Sequence, residues 1–197
     1  MKNVLKYFLV FLIFSSLLSC AVYDNGVKVY VFKDLKEALK TPEKVTHLKL
    51  IKKKYTKFPL GILKFTNLKS LDLSKNELDS IPKEISQLIN LEVLKLNKNN
   101  FIWFPLEICT LNSLEELSLN NNELENIPKE IVNLDNLIKL DLWSNNITKF
   151  PEELTQLVKL KTLDLRMIEI PEKKQYELKE MLPQVKVYMS NSCNCAP

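Results

Sequence analysis

From Val45 onward the sequence returns to one pattern every 23 residues, with copies opening at Val45, Leu68, Leu91, Leu114, Leu137 and Leu160. The third copy reads LEVLKLNKNNFIWFPLEICTLNS and the fourth LEELSLNNNELENIPKEIVNLDN. A unit this short cannot bury its own apolar side chains, so the copies must stack and share them. The common frame is L-x-x-L-x-L-x-x-N-x-L-x-x-I/F-P-x-x-I-x-x-L-x-N.

Each part of the frame has a physical reading. The fourth and sixth slots, such as Leu94/Leu96 and Leu117/Leu119, alternate with polar residues and predict a strand that buries one face. The ninth slot holds Asn76, Asn99, Asn122 and Asn145. An amide there can bond backbone groups as the chain leaves the strand, and it tolerates turn geometry. Stacking would line these amides into a ladder. The fifteenth slot is Pro59, Pro82, Pro105, Pro128 and Pro151, a residue that cannot extend a strand but suits a helix start. Glu84, Glu107, Glu130 and Glu153 follow where a carboxylate favours a helix N-terminus. Pairs such as Ile85/Leu88 and Ile131/Leu134 then give an i, i+3 apolar face. Each copy reads as strand, turn and short helical return.

This frame resembles that of leucine-rich-repeat proteins over about residues 45–170, with five full copies and one degenerate copy. The resemblance implies an α/β solenoid with a curved parallel β-sheet on the concave face and short helical segments on the convex face. Caps are expected at both ends. Residues 27–44 supply the first, with a strand in VKVYVF and a short helix begun by Asp34; residues 171–189 supply the second, with a helix and a closing strand in VKVYM; residues 190–197 are a tail. The end copies depart from the frame: Lys53 and Ile168 replace the asparagine, and Pro171 arrives three residues early.

The resemblance also implies that the third, fifth and seventh slots face outward on the concave sheet. The seventh slot reads Ile51, Ser74, Asn97, Asn120, Trp143 and Arg166, so a large ring stands on a sheet face between an amide and a guanidinium. Trp and Arg concentrate at the energetic centres of protein interfaces. Glu116, Lys139, Lys95 and Asp141 occupy the third and fifth slots nearby. Their mixed signs suit a protein partner rather than a polyanion. The alternative for Trp143 is a lone surface aromatic, or one stacked under Arg166. Ile102 and Trp103 take slots that are polar in other copies. They form either a second exposed patch or a contact with the neighbouring loop.

The first residues, MKNVLKYFLVFLIFSSLLSC, combine a basic start with an apolar run from Tyr7 to Leu18, shorter than the ~20 residues a spanning helix needs. The closing LLSC resembles the lipobox of bacterial lipoproteins, which implies a signal peptide over 1–19, an acylated Cys20 and a lipidated tether over 20–26. The alternative is an ordinary signal with an incidental cysteine. Removing Lys2 and Lys6 from the 28 basic residues leaves 26 against 24 acidic, too balanced for a nucleic-acid binder. The run KLIKKKYTK, Lys49–Lys57, is read first as a solvated face, and second as a lysine patch settling on anionic head groups.

With 2 Gly and 1 His, glycine phosphate loops, His-based triads and multi-His metal sites are excluded. Asp141 and Asp164 fall on neighbouring strands, yet an open sheet face lacks the pocket that paired-carboxylate catalysis needs. His47 reads as a surface polar residue. Cys109 reads as a part-buried thiol, and Cys193 and Cys195 in the tail remain open between a strained bridge, an intermolecular pair and a weak soft-metal site. No cofactor, metal, nucleic acid or small-molecule substrate is expected. The sequence therefore points to a non-enzymatic protein-binding module anchored at the bacterial cell envelope through Cys20, with surface adhesion ahead of a periplasmic scaffold and an enzyme last.

Overall fold

The computed structural model describes residues 19–24 and 27–190. One nine-stranded sheet runs in sequence order through the chain. It comprises β1 (Ser19–Asp24), β2 (Val27–Phe32), β3 (His47–Lys49), β4 (Ser70–Asp72), β5 (Val93–Lys95), β6 (Glu116–Ser118), β7 (Lys139–Asp141), β8 (Thr162–Leu165) and β9 (Lys186–Met189). Strands β2 to β9 are parallel, and β1 alone pairs antiparallel, along β2. Strand β1 covers residues that the sequence reading divides between signal and tether. Residues 1–18, the rest of the expected signal, lie outside the described residues, as do 191–197 of the tail.

Register follows the repeat. Leu48, Leu71, Leu94, Leu117, Leu140 and Leu163 stand opposite one another across five consecutive pairings. These leucines, with the sixth-slot series from Leu50 to Leu165, are fully buried and form one continuous core. At roughly 25 cal/mol per Å² of apolar area, this shared burial is the main stabilising term. Between strands the chain returns through five-residue turns at Leu60–Lys64, Lys83–Gln87, Leu106–Thr110, Lys129–Asn133 and Glu152–Gln156. They are 3₁₀ rather than α. Each proline precedes its turn in extended conformation and offers its carbonyl to the first bond, as in Ile85 N–H to Pro82 C=O at 3.0 Å, followed by Leu88 N–H to Ile85 C=O at 2.9 Å. The i, i+3 apolar spacing matches three residues per turn and eclipses both side chains over the core.

The asparagine ladder is present. Asn122 donates to Leu119 C=O (2.8 Å) and Leu96 C=O (3.1 Å) and accepts from the N–H groups of Asn99 (3.2 Å) and Phe101 (3.3 Å). Asn76, Asn99 and Asn145 repeat this bridging between copies. The left-handed turn falls in the eighth slot: Lys52, Lys75, Lys98, Asn121, Ser144 and Met167 all have φ between 52° and 59°. At Lys75, Lys98, Asn121 and Ser144 the bonds of the following asparagine help hold this conformation, against roughly 1–2 kcal/mol each.

Both caps form. Asp34 opens α1 (Leu35–Ala38), accepting the Glu37 N–H at 3.1 Å. At the far end, α2 (Glu172–Met181) returns the chain to β9, which adds Val187 opposite Leu163.

Candidate functional site

Strand register brings the outward slots of β5 to β9 into one field. Third-slot residues Glu116, Lys139 and Thr162 continue to Lys186, and fifth-slot residues Ser118, Asp141 and Asp164 continue to Tyr188. Neighbouring strands lie about 4.8 Å apart, so side chains in one slot touch or nearly touch. Lys95, Asn97, Glu116, Ser118, Lys139 and Asp141 line a shallow depression of about 150 Å³.

The floor of this field is a bonded polar network. Asp141 accepts from Ser118 Oγ (2.8 Å) and Asn120 Nδ2 (2.6 Å), and Asn97 Oδ1 accepts the Asn120 N–H (3.1 Å). Asn120 itself is only 8% exposed, and its amide oxygen takes a bond from Asn121 Nδ2 at 3.0 Å. Asn120, expected on the open face, is therefore nearly buried and internally bonded in the free chain. Its polar atoms are shared among Asn97, Ser118, Asn121 and Asp141.

Trp143 is partly covered, yet it is neither in the core nor among the half-buried side chains packed against it. The alternative of an indole stacked under Arg166 does not hold. Arg166 turns instead to Asp164, with Nη2 to Oδ2 at 2.6 Å and Nε to Oδ1 at 2.9 Å, and its guanidinium lies 5.7 Å from the Tyr188 ring centre. The Asp164 hydrogen bond and charge raise the Arg166 pKa further above its ordinary value. Lys186 Nζ lies 4.8 Å from the centre of the same ring. Tyr188 and Lys186 thus join the field although the sequence reading missed them. The alternation of VKVYM predicts the strand, but its register against β8 passes through α2, which follows no repeat.

Asp141 and Asp164 stand opposite each other in register, but each carboxylate is engaged by hydrogen bonds on an open face. Among the described residues no group of three or more His, Cys, Asp and Glu side chains is placed to hold a metal. No described helix is long and apolar enough to cross a membrane. Cys109 is buried behind its 3₁₀ turn, and burial, with Glu130 and Glu107 nearby, pushes its thiol up to about 12. Such a thiol stays protonated and inert at neutral pH.

The second patch lies elsewhere, on the loop that climbs from strand to turn. Trp103 is 63% exposed and Ile102 44%, with Leu106 beside them. Of the two readings for this pair, the open one describes it. Cys20 has its backbone in β1, opposite Val31.

Leucine-rich-repeat family models match residues 112–167 and 67–88. No curated protein matches the sequence. Among solved structures, a leucine-rich-repeat protein of Leptospira interrogans is similar at 32% identity and a TM-score of 0.63, over 82% of this chain and 48% of its own. Internalin C2 of Listeria monocytogenes is similar at 24% identity and a TM-score of 0.63, over 80% of this chain and 66% of its own. A second internalin of that organism has 17% identity and a TM-score of 0.59, over 81% and 53%. The chain therefore spans from about half to two thirds of the length of these structures, and the internalins share its fold.

Proposed function

We propose that this leucine-rich-repeat protein is a non-enzymatic binding module that captures a protein partner on the C-terminal half of its concave sheet. One observation supports the reading: Trp143, two residues past Asp141 of β7, is left outside the core, and its slot in the next copy is held by Arg166. Leucine-rich-repeat domains generally bind proteins, and an aromatic anchor with fixed charges around it is the composition of an interface centre. Asp164 holds Arg166 in one orientation before any partner arrives, which lowers the ordering cost of binding.

The envelope anchor is part of the same proposal. The apolar leader and LLSC support acylation of Cys20, and two or three acyl chains anchor a small domain firmly at about 0.8 kcal/mol per buried CH₂. Metabolic labelling with palmitate tests it: label lost in Cys20→Ser supports the anchor, and label retained rejects it. Protease treatment of intact cells separates the two settings, because digestion before lysis favours outward display and adhesion while resistance favours a periplasmic scaffold. For the binding face, capture of a partner from target-cell extracts should fall with Trp143→Ala while the melting temperature stays nearly unchanged. A large loss of melting temperature would make the indole structural and end the reading.

A further inference from the structure

The charges of the coil are sorted along its axis. Copy one, residues 45–67, carries six lysines and no acidic residue, whereas copy four, residues 114–136, carries six acidic residues and one lysine. Three strand spacings, about 14 Å, separate them. The six are Lys49, Lys52, Lys53, Lys54, Lys57 and Lys64. All are exposed, and none of their ammonium groups bonds or pairs with another described residue. Asp72 stands opposite Lys49 in register, but its carboxylate is nearly buried and accepts the Ser74 N–H at 3.0 Å. On the corresponding loop of copy two, Asp79 accepts from Ser80 Oγ and Glu77 pairs with no lysine. The excess on copy one therefore has no direct counter-charge.

Four of these lysines leave one short loop. Lys52 and Lys54 both take left-handed backbone at φ 58°, and Asn76 Oδ1 accepts the Lys53 N–H at 2.8 Å and the Tyr55 N–H at 3.2 Å. The ladder of copy two thus fixes the backbone while the long side chains stay free to spread. Leu60, 61% exposed, opens the turn three residues after Lys57 and adds an apolar side chain to the same end. The sheet also puts this end beside the expected anchor. Cys20 pairs with Val31 and Val31 with His47, so the Cys20 backbone lies two strand spacings, about 10 Å, from copy one. Arg166 is locked by Asp164, as suits a shaped partner site. Unpaired ammoniums on flexible stems instead match a surface of many mobile negative charges.

We propose that copy one docks on a bilayer of anionic lipids through Lys52, Lys53, Lys54 and Lys57, with Leu60 entering the interface. The contact holds acidic copy four, and the concave field beyond it, off the surface. Its setting at the envelope rests on the anchor reading above; the attraction itself does not.

Vesicle binding by the full chain carrying Cys20→Ser isolates the contact from acylation, so failure here and failure of the palmitate test are told apart. Residues 1–19 are common to every variant and cancel in the ratios. Vesicles of equal parts phosphatidylglycerol and phosphatidylcholine should bind at least about tenfold more tightly than phosphatidylcholine alone. A lysine at an anionic surface is worth about fivefold, so Lys52→Gln/Lys53→Gln/Lys54→Gln/Lys57→Gln should weaken binding at least about 50-fold. Lys129→Gln/Lys149→Gln/Lys159→Gln/Lys161→Gln removes the same charge from copies four to six and should weaken it less than about threefold. The emission added by Leu60→Trp should be quenched by spin-labelled lipid, while that of Trp103 and Trp143 is not. Equal binding to phosphatidylcholine alone, equal losses in the two lysine variants, or equal quenching of the native tryptophans would each overturn the proposal.

Discussion

Copies three and four hold each ladder asparagine on both sides, whereas copy six has Ile168 in that slot and bonds nothing across it. The middle of the coil is regular, its ladder amides bonded on both sides. The C-terminal end is irregular, and there a cleft of about 670 Å³ between copies five and six, the half-covered indole, Arg166 and Tyr188 all gather. Regular stacking supplies stability, and a broken frame releases backbone and side chains for contact. This contrast can be attacked first in the middle. Asn122→Ala removes five bonds and leaves the buried Asn99 and Phe101 N–H groups without their acceptor, while the Leu96 and Leu119 carbonyls keep Asn99 and Asn145 as donors. At about 1–3 kcal/mol for each of the two stranded buried groups, the loss should be about 4 kcal/mol in urea unfolding. A loss below about 1 kcal/mol would mean that water satisfies the ladder, and that the middle is no tighter than the end.

The architecture was legible because the period is itself a spatial statement. Leu71, Leu94 and Leu117 share a slot in the sequence and therefore a position in the sheet. The same counting places Trp143 outside the leucine core, where the structure leaves it partly covered. What counting could not give was depth within a slot. Asn120 and Trp143 are both seventh-slot residues, but the short amide is buried against Asp141 while the indole stays partly exposed. The left-handed residue before each asparagine was hidden too, since Lys75, Lys98 and Ser144 have no common chemistry that marks a positive φ. Tyr188 escaped because a non-repeating helix separates it from the last readable copy.

A second test compares the two tryptophans, one at each kind of place. If the concave C-terminal field is the binding centre, Trp143→Ala should lower affinity for a captured partner by about 30-fold, close to 2 kcal/mol. Trp103→Ala, on the climbing loop of a regular copy, should change that affinity by less than threefold. Titration calorimetry or surface plasmon resonance on the same partner reads both. Reversed effects would move the interface to the loop rim and detach function from the irregular end.

The smallest effect sharpens the comparison most. Ile168→Asn would write the middle's rule into the end. The new amide would meet Leu142 and Leu165 C=O, the counterparts of the carbonyls that Asn145 holds at 3.1 Å and 2.7 Å, and its oxygen would face the Ile147 N–H, which lacks the bond that Leu78 and Leu124 receive. Three bonds at about 1 kcal/mol each, set against roughly 2 kcal/mol of lost isoleucine burial, leave a net gain of about 1 kcal/mol in unfolding free energy. A measured gain would show that the end is an unfinished repeat, stable enough without its last amide. A loss of 2 kcal/mol or more would show the opposite: Ile168 would then be the keystone of an apolar cap, and the open cleft beside it a feature that the fold is built to keep.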